Sequence, residues 1–281
     1  MYVTKHLDWL SVTLPITEVP RSVFPLLPWI FTGKGVHGYA ERFIHAASGM
    51  VAQTGSAADE MGVHYTLSGD TLAYFRKQYD DQDRYIVHNF TSRHAYASRI
   101  DLAINLHGAE LTPARMRDEL QSRKLVARAQ TWRFITGKKG NIQGETLYIG
   151  SPSSDRQLRA YNKSAQLGVV NGEAWLRLEM ELRQLRANGA LQSCNSNGTD
   201  GTVSGHVADF ISFNNSEFKA AIAGPSVPPM DIQRQVTARR KWLIGQVASA
   251  LAKEMLEDAE FANAFWQATL HELEQLTSRQ K

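Results

Sequence analysis

Hydrophobic and polar residues alternate most regularly in residues 98–106 and 175–183, and this alternation predicts a strand in each segment. In the first segment Ile100, Leu102, Ile104 and Leu106 form one face, and Arg99, Asp101, Ala103 and Asn105 form the other. In the second, Leu176, Leu178, Met180 and Leu182 lie opposite Arg177, Glu179, Glu181 and Arg183. A third short strand opens residues 156–166, where Arg159, Tyr161 and Lys163 share one face. Each predicted strand therefore carries a polar row.

The rest of the N-terminal part also favours strands, with two helices between them. Strands are predicted at 8–14, within 39–54 and 62–68, and in "TWRFITG" and "ETLYIGS". In the first of these, Asp8 is expected on the same face as Leu10, Val12 and Leu14. Helices are predicted in "SGDTLAYFRKQYDD", beginning at Ser68 or Asp70, and in "TPARMRDELQSRKL", capped by Thr112.

The C-terminal part changes to a helical period. Residues 189–205 are rich in Gly, Ser and Asn, which predicts a loop or linker, and helices are expected over 206–223, 230–256 and 258–278. Strands first and helices last indicate an α+β fold with a mainly antiparallel central sheet, helices on one face and a helical C-terminal part. The predicted division is a sheet domain, 1–205, and a helical region, 206–281.

Composition limits the classes of function. The 281 residues are 43% hydrophobic and 21% charged, with a net charge of +3, which permits a nucleic-acid partner without requiring one. A single cysteine, Cys194, excludes an internal disulfide and favours a reducing compartment. The sequence has no apolar run typical of a signal peptide or membrane span, so we expect a cytoplasmic protein that does not bind a membrane.

The three polar rows allow two interpretations. Taken singly, each is typical of a solvated sheet surface with ion pairs. Together they offer the carboxylates of Asp101, Glu179 and Glu181, which are oxygen ligands for Mg²⁺ or Mn²⁺. They also offer cations that bind phosphate and a phenol, which needs nearby positive charge or a metal to become a nucleophile. Tyrosine attack on a phosphodiester would use all of these groups.

Three segments carry a family resemblance, namely "SRIDLAINL", "ETLYIGSPSSDRQLRAYNKSAQ" and "WLRLEMELR", in this order. Together with "GVHYTLSGDTL" they make residues 8–185 resemble the replication initiation factor family. That family contains rolling-circle plasmid initiators, filamentous-phage replication proteins and relaxases of some conjugative elements. The resemblance implies a metal-dependent nick in one DNA strand, a tyrosine linked to the 5′ phosphate, and a free 3′ hydroxyl that primes synthesis.

The resemblance assigns roles to individual residues. Tyr161 in "LRAYNK" matches the nucleophile, and Asp101 and Glu179 match the acidic positions expected to bind the metal. Lys163 and Arg159 flank the tyrosine as candidate phosphate contacts. Many relatives have a second acid four residues after the first, where this chain has Asn105. Either Glu181 takes that place as a metal ligand, or the ion is bound with fewer charges.

Other candidates are weaker. Tyr148 is the rival nucleophile, although a packing role is favoured. Further DNA contacts are predicted at Arg99 and Arg177 on the sheet, at Lys138 and Lys139 in a hairpin, and in a basic cluster of Arg234, Arg239, Arg240 and Lys241. For the hairpin and the basic cluster, a solvated turn and a solvated helix end are equally good interpretations. The last helix has an apolar stripe typical of core or of a homodimer contact, with Phe261, Phe265, Trp266, Leu270 and Leu273.

The sequence thus predicts a phage or plasmid replication initiator that nicks a single-stranded or supercoiled origin, with the catalytic residues in 1–205. The resemblance implies that a host helicase and polymerase act with it. Two alternatives stay open: a relaxase of a mobile element, and a DNA-binding regulator that kept the fold but lost nicking. Asn105 is the feature that favours the regulator.

Overall fold

The fold is built on a ten-stranded antiparallel sheet in this computed structural model, which describes residues 1–14, 24, 28–56, 61–80, 83–139, 142–169, 174–227 and 248–278. The strands are β1 (Tyr2–Leu14), β2 (Trp29–Gly33), β3 (Tyr39–His45), β4 (Val51–Ser56), β5 (Val63–Leu67), β6 (Tyr96–His107), β8 (Trp132–Lys139), β9 (Ile142–Ile149), β10 (Arg156–Asn162) and β11 (Trp175–Arg183). Their order is β2-β3-β4-β5-β1-β6-β11-β10-β9-β8. Two short strands, β7 (Leu125–Ala127) and β12 (Ile211–Phe213), pair separately.

Nine helices lie in the described residues. They are α1 (Gly69–Tyr79), α2 (Arg84–Thr91), α3 (Pro113–Gln121), α4 (Lys163–Gln166), α5 (Gln184–Asn197), α6 (Thr199–Phe210), α7 (Ser216–Ile222), α8 (Ala248–Glu257) and α9 (Ala259–Ser278). Ser68 and Thr112 cap α1 and α3, each accepting a hydrogen bond from the backbone N–H three residues on. Both predicted helix starts are confirmed.

The core lies on the face of the sheet that carries the aliphatic rows. Leu102, Ile104, Leu178 and Met180 are fully buried there, and α5 packs across β6 and β11. The alternation predicted from the sequence is confirmed in both strands. The predicted α+β class, with a mainly antiparallel sheet and helices against it, is also confirmed.

The Gly/Ser/Asn-rich stretch 189–205 is not a loop, and this prediction was wrong. The stretch belongs to α5 and α6, where Leu191, Cys194 and Val203 are buried. The apolar residues between the polar ones are enough to dock these helices, because tertiary burial overrides weak helix propensity. The helix expected over 206–223 is also interrupted, by β12 at Ile211–Phe213.

The chain divides into two compact units, Met1–Pro228 and Pro229–Lys281. The predicted boundary at residue 205 falls inside α6. The division of functions between the two parts stays a prediction. Among the described residues, none of the helices combines the length and apolarity needed to cross a membrane.

Candidate active site

The three polar rows meet on one face because β6, β11 and β10 are neighbours in the sheet. The cross-strand pairs on this face are Asp101 with Glu181, Asn105 with Arg177, Arg159 with Glu179, and Tyr161 with Arg177. Residues directly opposite on antiparallel strands have Cβ atoms only about 5 Å apart. Strand order therefore brings together seven of the predicted site residues: Arg99, Asp101, Arg159, Tyr161, Arg177, Glu179 and Glu181.

This polar face is buried, not solvated. Glu179 is 1% exposed, Asp101 2%, Arg177 6% and Tyr161 8%. Charged groups with so little exposure lose hydration and are stable only when they are paired. The interpretation of these rows as an ordinary solvated surface is therefore wrong, although its ion pairs are present.

Tyr161 is held by the carboxylate of Glu179. Its hydroxyl donates a hydrogen bond of 2.9 Å to Glu179 Oε2, and the Arg159 guanidinium binds Oε1 of the same carboxylate. Burial, and then the negative charge of Glu179, raise the pKa of Tyr161 well above its ordinary value. The phenol is therefore protonated at neutral pH, with its proton directed at a carboxylate oxygen.

Asp101 and Glu181 share the guanidinium of Arg99. Arg99 donates to both oxygens of Asp101 at 2.9 and 2.7 Å, and its Nη2 lies 3.3 Å from Glu181 Oε2. Burial raises the pKa of Asp101 to about 6; Arg99 opposes this shift, and the charges of Glu179 and Glu181 add to it. Asp101 is thus a buried carboxylate whose charge is compensated by Arg99.

Asn105, the departure from the family pattern, is already occupied by two donors. Its Oδ1 accepts from Arg177 Nε at 2.8 Å and from Trp175 Nε1 at 2.9 Å, while its Nδ2 donates to Thr4 Oγ1 at 2.9 Å. The amide orientation that these contacts define leaves Oδ1 directed at two N–H groups. A metal ion would have to compete with both donors for that oxygen.

Sequence reasoning missed Asp8. The β1–β6 register shifts between Leu7 and Trp9, and a bulge of this kind re-aims one side chain. The Asp8 carboxylate thereby reaches the polar face and accepts from Arg177 Nη1 at 2.8 Å, instead of lying with Leu10 as predicted. Burial tends to raise the pKa of Asp8, but the hydrogen bond with His6 and the charge of Arg177 outweigh it and hold the pKa well below its usual range. The sequence did contain one sign of this position, because Asp8 is a carboxylate where the alternation predicts an apolar residue.

The remaining predicted residues lie at the edges of this face or outside the described part of the chain. Lys163 begins α4, and its Nζ is 5.8 Å from the centroid of the Tyr161 ring. Lys138 and Lys139 end β8, where the structure describes the strand but not these side chains. The basic cluster, Arg234, Arg239, Arg240 and Lys241, lies outside the described residues. Tyr148 lies opposite Arg159 on β9, with the Arg133 guanidinium 4.8 Å from its ring centroid.

The donor chemistry of Asp101, Glu179 and Glu181 suits a hard divalent cation, because all three supply carboxylate oxygens from adjacent strands. Each carboxylate is, however, engaged by an arginine: Arg99, Arg159 or Arg183. As the side chains stand in the described residues, no three of His, Cys, Asp or Glu form a group that could hold an ion.

Comparison with known proteins supports the identification of this fold. Residues 95–220, a little under half of the chain, match the sequence model of a family described as Replication initiation factor. This segment contains Asp101, Tyr161 and Glu179. A search of curated proteins finds no match.

Among solved structures, the chain is similar to the rolling circle replication initiator protein from Geobacillus stearothermophilus. The TM-score is 0.66 at 22% identity, over 80% of this chain and 92% of that chain. A second structure, the apo form of the immunity protein TplEi of T6SS from Pseudomonas aeruginosa, has a TM-score of 0.15 at 12% identity. It covers 65% of this chain and 82% of that chain. The match over residues 95–220 and the similar fold together confirm the predicted resemblance of this part of the chain to the replication initiation factors.

Proposed function

We propose that this protein is a site-specific DNA nickase and strand transferase that starts rolling-circle replication of a phage or plasmid. Tyr161 Oη attacks a phosphorus atom of one DNA strand. The O–P bond to the 3′ oxygen breaks, the tyrosine becomes linked to the 5′ phosphate, and the 3′ oxygen leaves as a hydroxyl once it is protonated. That hydroxyl then primes synthesis.

The observation that carries this proposal is the buried hydrogen bond from Tyr161 to Glu179, on a face that also carries four arginines. Any buried tyrosine hydroxyl needs a hydrogen-bond partner, but here the partner is a carboxylate whose other oxygen binds a guanidinium. The tyrosine proton has an acceptor at Glu179 Oε2, so the attack can be coupled to its removal. Because burial and Glu179 raise the pKa of Tyr161, the nucleophile stays protected until substrate or a cation changes that balance.

Asp101, Glu179 and Glu181 are the residues that would hold a divalent metal, Mg²⁺ or Mn²⁺. When bound, such an ion supplies positive charge that polarises a phosphoryl oxygen and stabilises the transition state. Holding it requires Arg99 or Arg159 to give up its present carboxylate. Both guanidiniums are partly exposed, with side chains 35% and 34% accessible, so each could turn towards a DNA phosphate instead.

Cations around the tyrosine fit contacts with the DNA backbone. Arg159 and Lys163 flank Tyr161, and we assign them to the scissile phosphate and its neighbours. Burial, and then the charge of Arg177, lower the pKa of Lys163. The other predicted DNA contacts are Arg99, Lys138, Lys139, Arg239, Arg240 and Lys241. Arg177, predicted with them, is buried and bound to Asp8 and Asn105, so a phosphate would have to displace one of these partners. Because replicating DNA is the substrate, we place this activity in the cytoplasm of a bacterial host, together with the host helicase and polymerase. The proposal also includes a homodimer formed through the last helix.

One observation favours the non-catalytic alternative, a DNA-binding regulator on the same fold. The carbonyl of Asn105 serves Arg177 and Trp175, so it does not replace the missing acid as a free ligand. The relaxase alternative shares all of the chemistry and differs only in the DNA that is cut.

A cleavage assay separates an enzyme from a binder. Supercoiled DNA carrying the replicon that encodes the protein is incubated with Mn²⁺ or with chelator, using the wild type and Tyr161→Phe. The proposal expects open-circular product from the wild type with Mn²⁺ alone. Equal conversion by the Phe variant would remove Tyr161 as nucleophile, and no conversion under any condition would favour the regulator.

A further inference from the structure

A groove of about 460 Å³ adjoins Tyr161 on the β9 and β8 side. Its lining includes Tyr148, Arg159, Tyr161, Asn162 and Gln166, and it continues to Ile135 at the edge strand. This volume lies within the roughly 300–1,000 Å³ range of small-ligand sites. The groove lies beside the proposed nucleophile, because Tyr161 is itself part of its lining.

Two glycines form the end of this groove away from the catalytic row. Gly137 on β8 lies directly opposite Gly144 on β9, and both line the groove. Among the described residues, no atom lies within 4 Å of a Cβ built on Gly137, and the nearest to one built on Gly144 is the Gly137 carbonyl oxygen, at 3.8 Å. Neither glycine is required for a positive φ. Glycines in a strand interior weaken it and often mark a place where a ligand approaches closely.

Aromatic and cationic groups form one wall. The Arg133 guanidinium lies 4.8 Å from the Tyr148 ring centroid, and Arg159 lies opposite Tyr148 on the next strand. Arg159 Nε is buried and has no hydrogen-bond partner among the described residues. Tyrosine rings and arginine planes are the groups on which unpaired bases stack. Thr146 and Gln166, which also line the groove, supply polar groups suited to the edge of a base.

We infer that this groove binds the base and sugar of one unpaired nucleotide, next to the phosphate that Tyr161 attacks. The inference rests on the proposed function, whose site it deepens. Thr146 lies directly opposite Tyr161, and Ile135 lies one strand further. With neighbouring strands about 4.8 Å apart, both positions are within reach of a nucleotide joined to that phosphate. Arg159 lines the groove and also binds Glu179, the partner of Tyr161. A nucleotide bound in the groove would therefore hold its phosphate beside the proposed nucleophile.

Filling the groove tests this inference without touching the catalytic residues. Gly137→Val puts a branched side chain into the open space and suits a strand. Thr136→Val is the matched control, since Thr136 is an exposed neighbour on the same strand that points to the opposite face. Fluorescence anisotropy, without metal, measures the binding of single-stranded 20-nucleotide DNAs: dT20, dA20, dC20 and a pool of random sequence. We expect Gly137→Val to bind roughly tenfold more weakly than the control.

A second measurement needs no variant. The wild type is irradiated with an oligo-dT that carries 5-iododeoxyuridine, and the cross-linked peptides are identified by mass spectrometry. We expect adducts on the peptide that contains Tyr148 or on the one that contains Asn162 and Gln166. Cross-links only elsewhere, equal affinity of Gly137→Val and Thr136→Val, or no binding to any single strand would overturn the inference.

These outcomes are separable from failure of the proposed function. Weaker binding by Gly137→Val, with no tyrosine–DNA adduct in any cleavage assay, would support the groove and reject the nickase. An adduct on Tyr161 with no effect of Gly137→Val on single-strand affinity would support the nickase and reject the groove.

Discussion

The Glu179 carboxylate accepts the Tyr161 hydroxyl at 2.9 Å on one oxygen and the Arg159 guanidinium on the other. Glu179 thus links Tyr161, the proposed nucleophile, to Arg159 on the same strand. The carboxylate favours the protonated phenol, while the arginine offsets the charge of the carboxylate. In the proposed reaction, the balance among these three groups would determine when the phenol can lose its proton.

Glu179→Gln should lower the pKa of Tyr161, because the charge of Glu179 is one cause of its elevation. Cleavage should nevertheless fall at least about 100-fold, since the proton acceptor and a proposed metal ligand are lost together. Ultraviolet difference titration of the tyrosines checks the first effect, and Glu181→Gln is the matched control. An unchanged titration curve would show that Glu179 does not govern the acidity of Tyr161.

Metal binding should depend on pH through Asp101. A carboxyl with a pKa of about 6 is largely protonated below that value, and the protonated form is a poor ligand. Calorimetric titration should therefore show Mn²⁺ affinity falling as pH drops below about 6, and Asp101→Ala or Glu179→Ala should abolish it. Retained Mn²⁺ affinity in both variants would mean that these residues serve only as ion-pair partners of Arg99 and Arg159.

Asn105→Asp restores the acid that many relatives have, yet we expect Mn²⁺ affinity to change by less than about threefold. The new carboxylate would face Arg177 Nε and Trp175 Nε1, which already use this position, and would form an ion pair there. The same calorimetric titration measures the effect. Tenfold tighter Mn²⁺ binding would show that Asn105 weakens the metal site.

Asp8→Ala should cost about 2–4 kcal/mol of unfolding free energy, because it leaves the buried Arg177 without its carboxylate. The folded-state pKa of Asp8 lies below its unfolded value. Its contribution is therefore present above about pH 4 and is lost as the pH falls towards the folded pKa. Urea unfolding at pH 7 and at pH 3 should show a smaller difference between the wild type and the variant at pH 3. The exposed Asp200→Ala should change little at either pH, and a loss at Asp8 no larger than at Asp200 would contradict the pairing.

A fragment of residues 1–228 should fold and keep the tyrosine chemistry, because it is a compact unit that contains every residue of the buried polar face. A cut after residue 205 should instead give insoluble protein, since it removes the buried Val207 and Phe210 and the β12 partner of β7. If the basic cluster binds phosphates, the longer fragment should also lose duplex affinity and show a flatter salt dependence. Sedimentation and anisotropy measurements decide both points, and full duplex affinity in the 1–228 fragment would refute the targeting role of that cluster.

The sequence was sufficient for the strands that carry the site, because alternation in β6 and β11 follows directly from the period of a strand. It could not show that these rows are buried. Burial depends on strand order, and β6 and β11 are adjacent although 67 residues lie between His107 at the end of β6 and Trp175 at the start of β11. The direction of the Asp8 side chain depends on a β-bulge. A strict alternation of faces along a strand cannot predict the change of face that a bulge causes. The Gly, Ser and Asn content of helices α5 and α6 predicts a loop, but the few apolar residues between them are enough to dock both helices on the sheet domain.

The most direct test of the account is mass spectrometry of the covalent DNA complex formed with Mn²⁺ and the cognate single-stranded origin. After nuclease and protease digestion, the account predicts a nucleotide adduct on the peptide that contains Tyr161, and no adduct in Tyr161→Phe. An adduct on the Tyr148 peptide, or a nicked product with no tyrosine adduct at all, would contradict it.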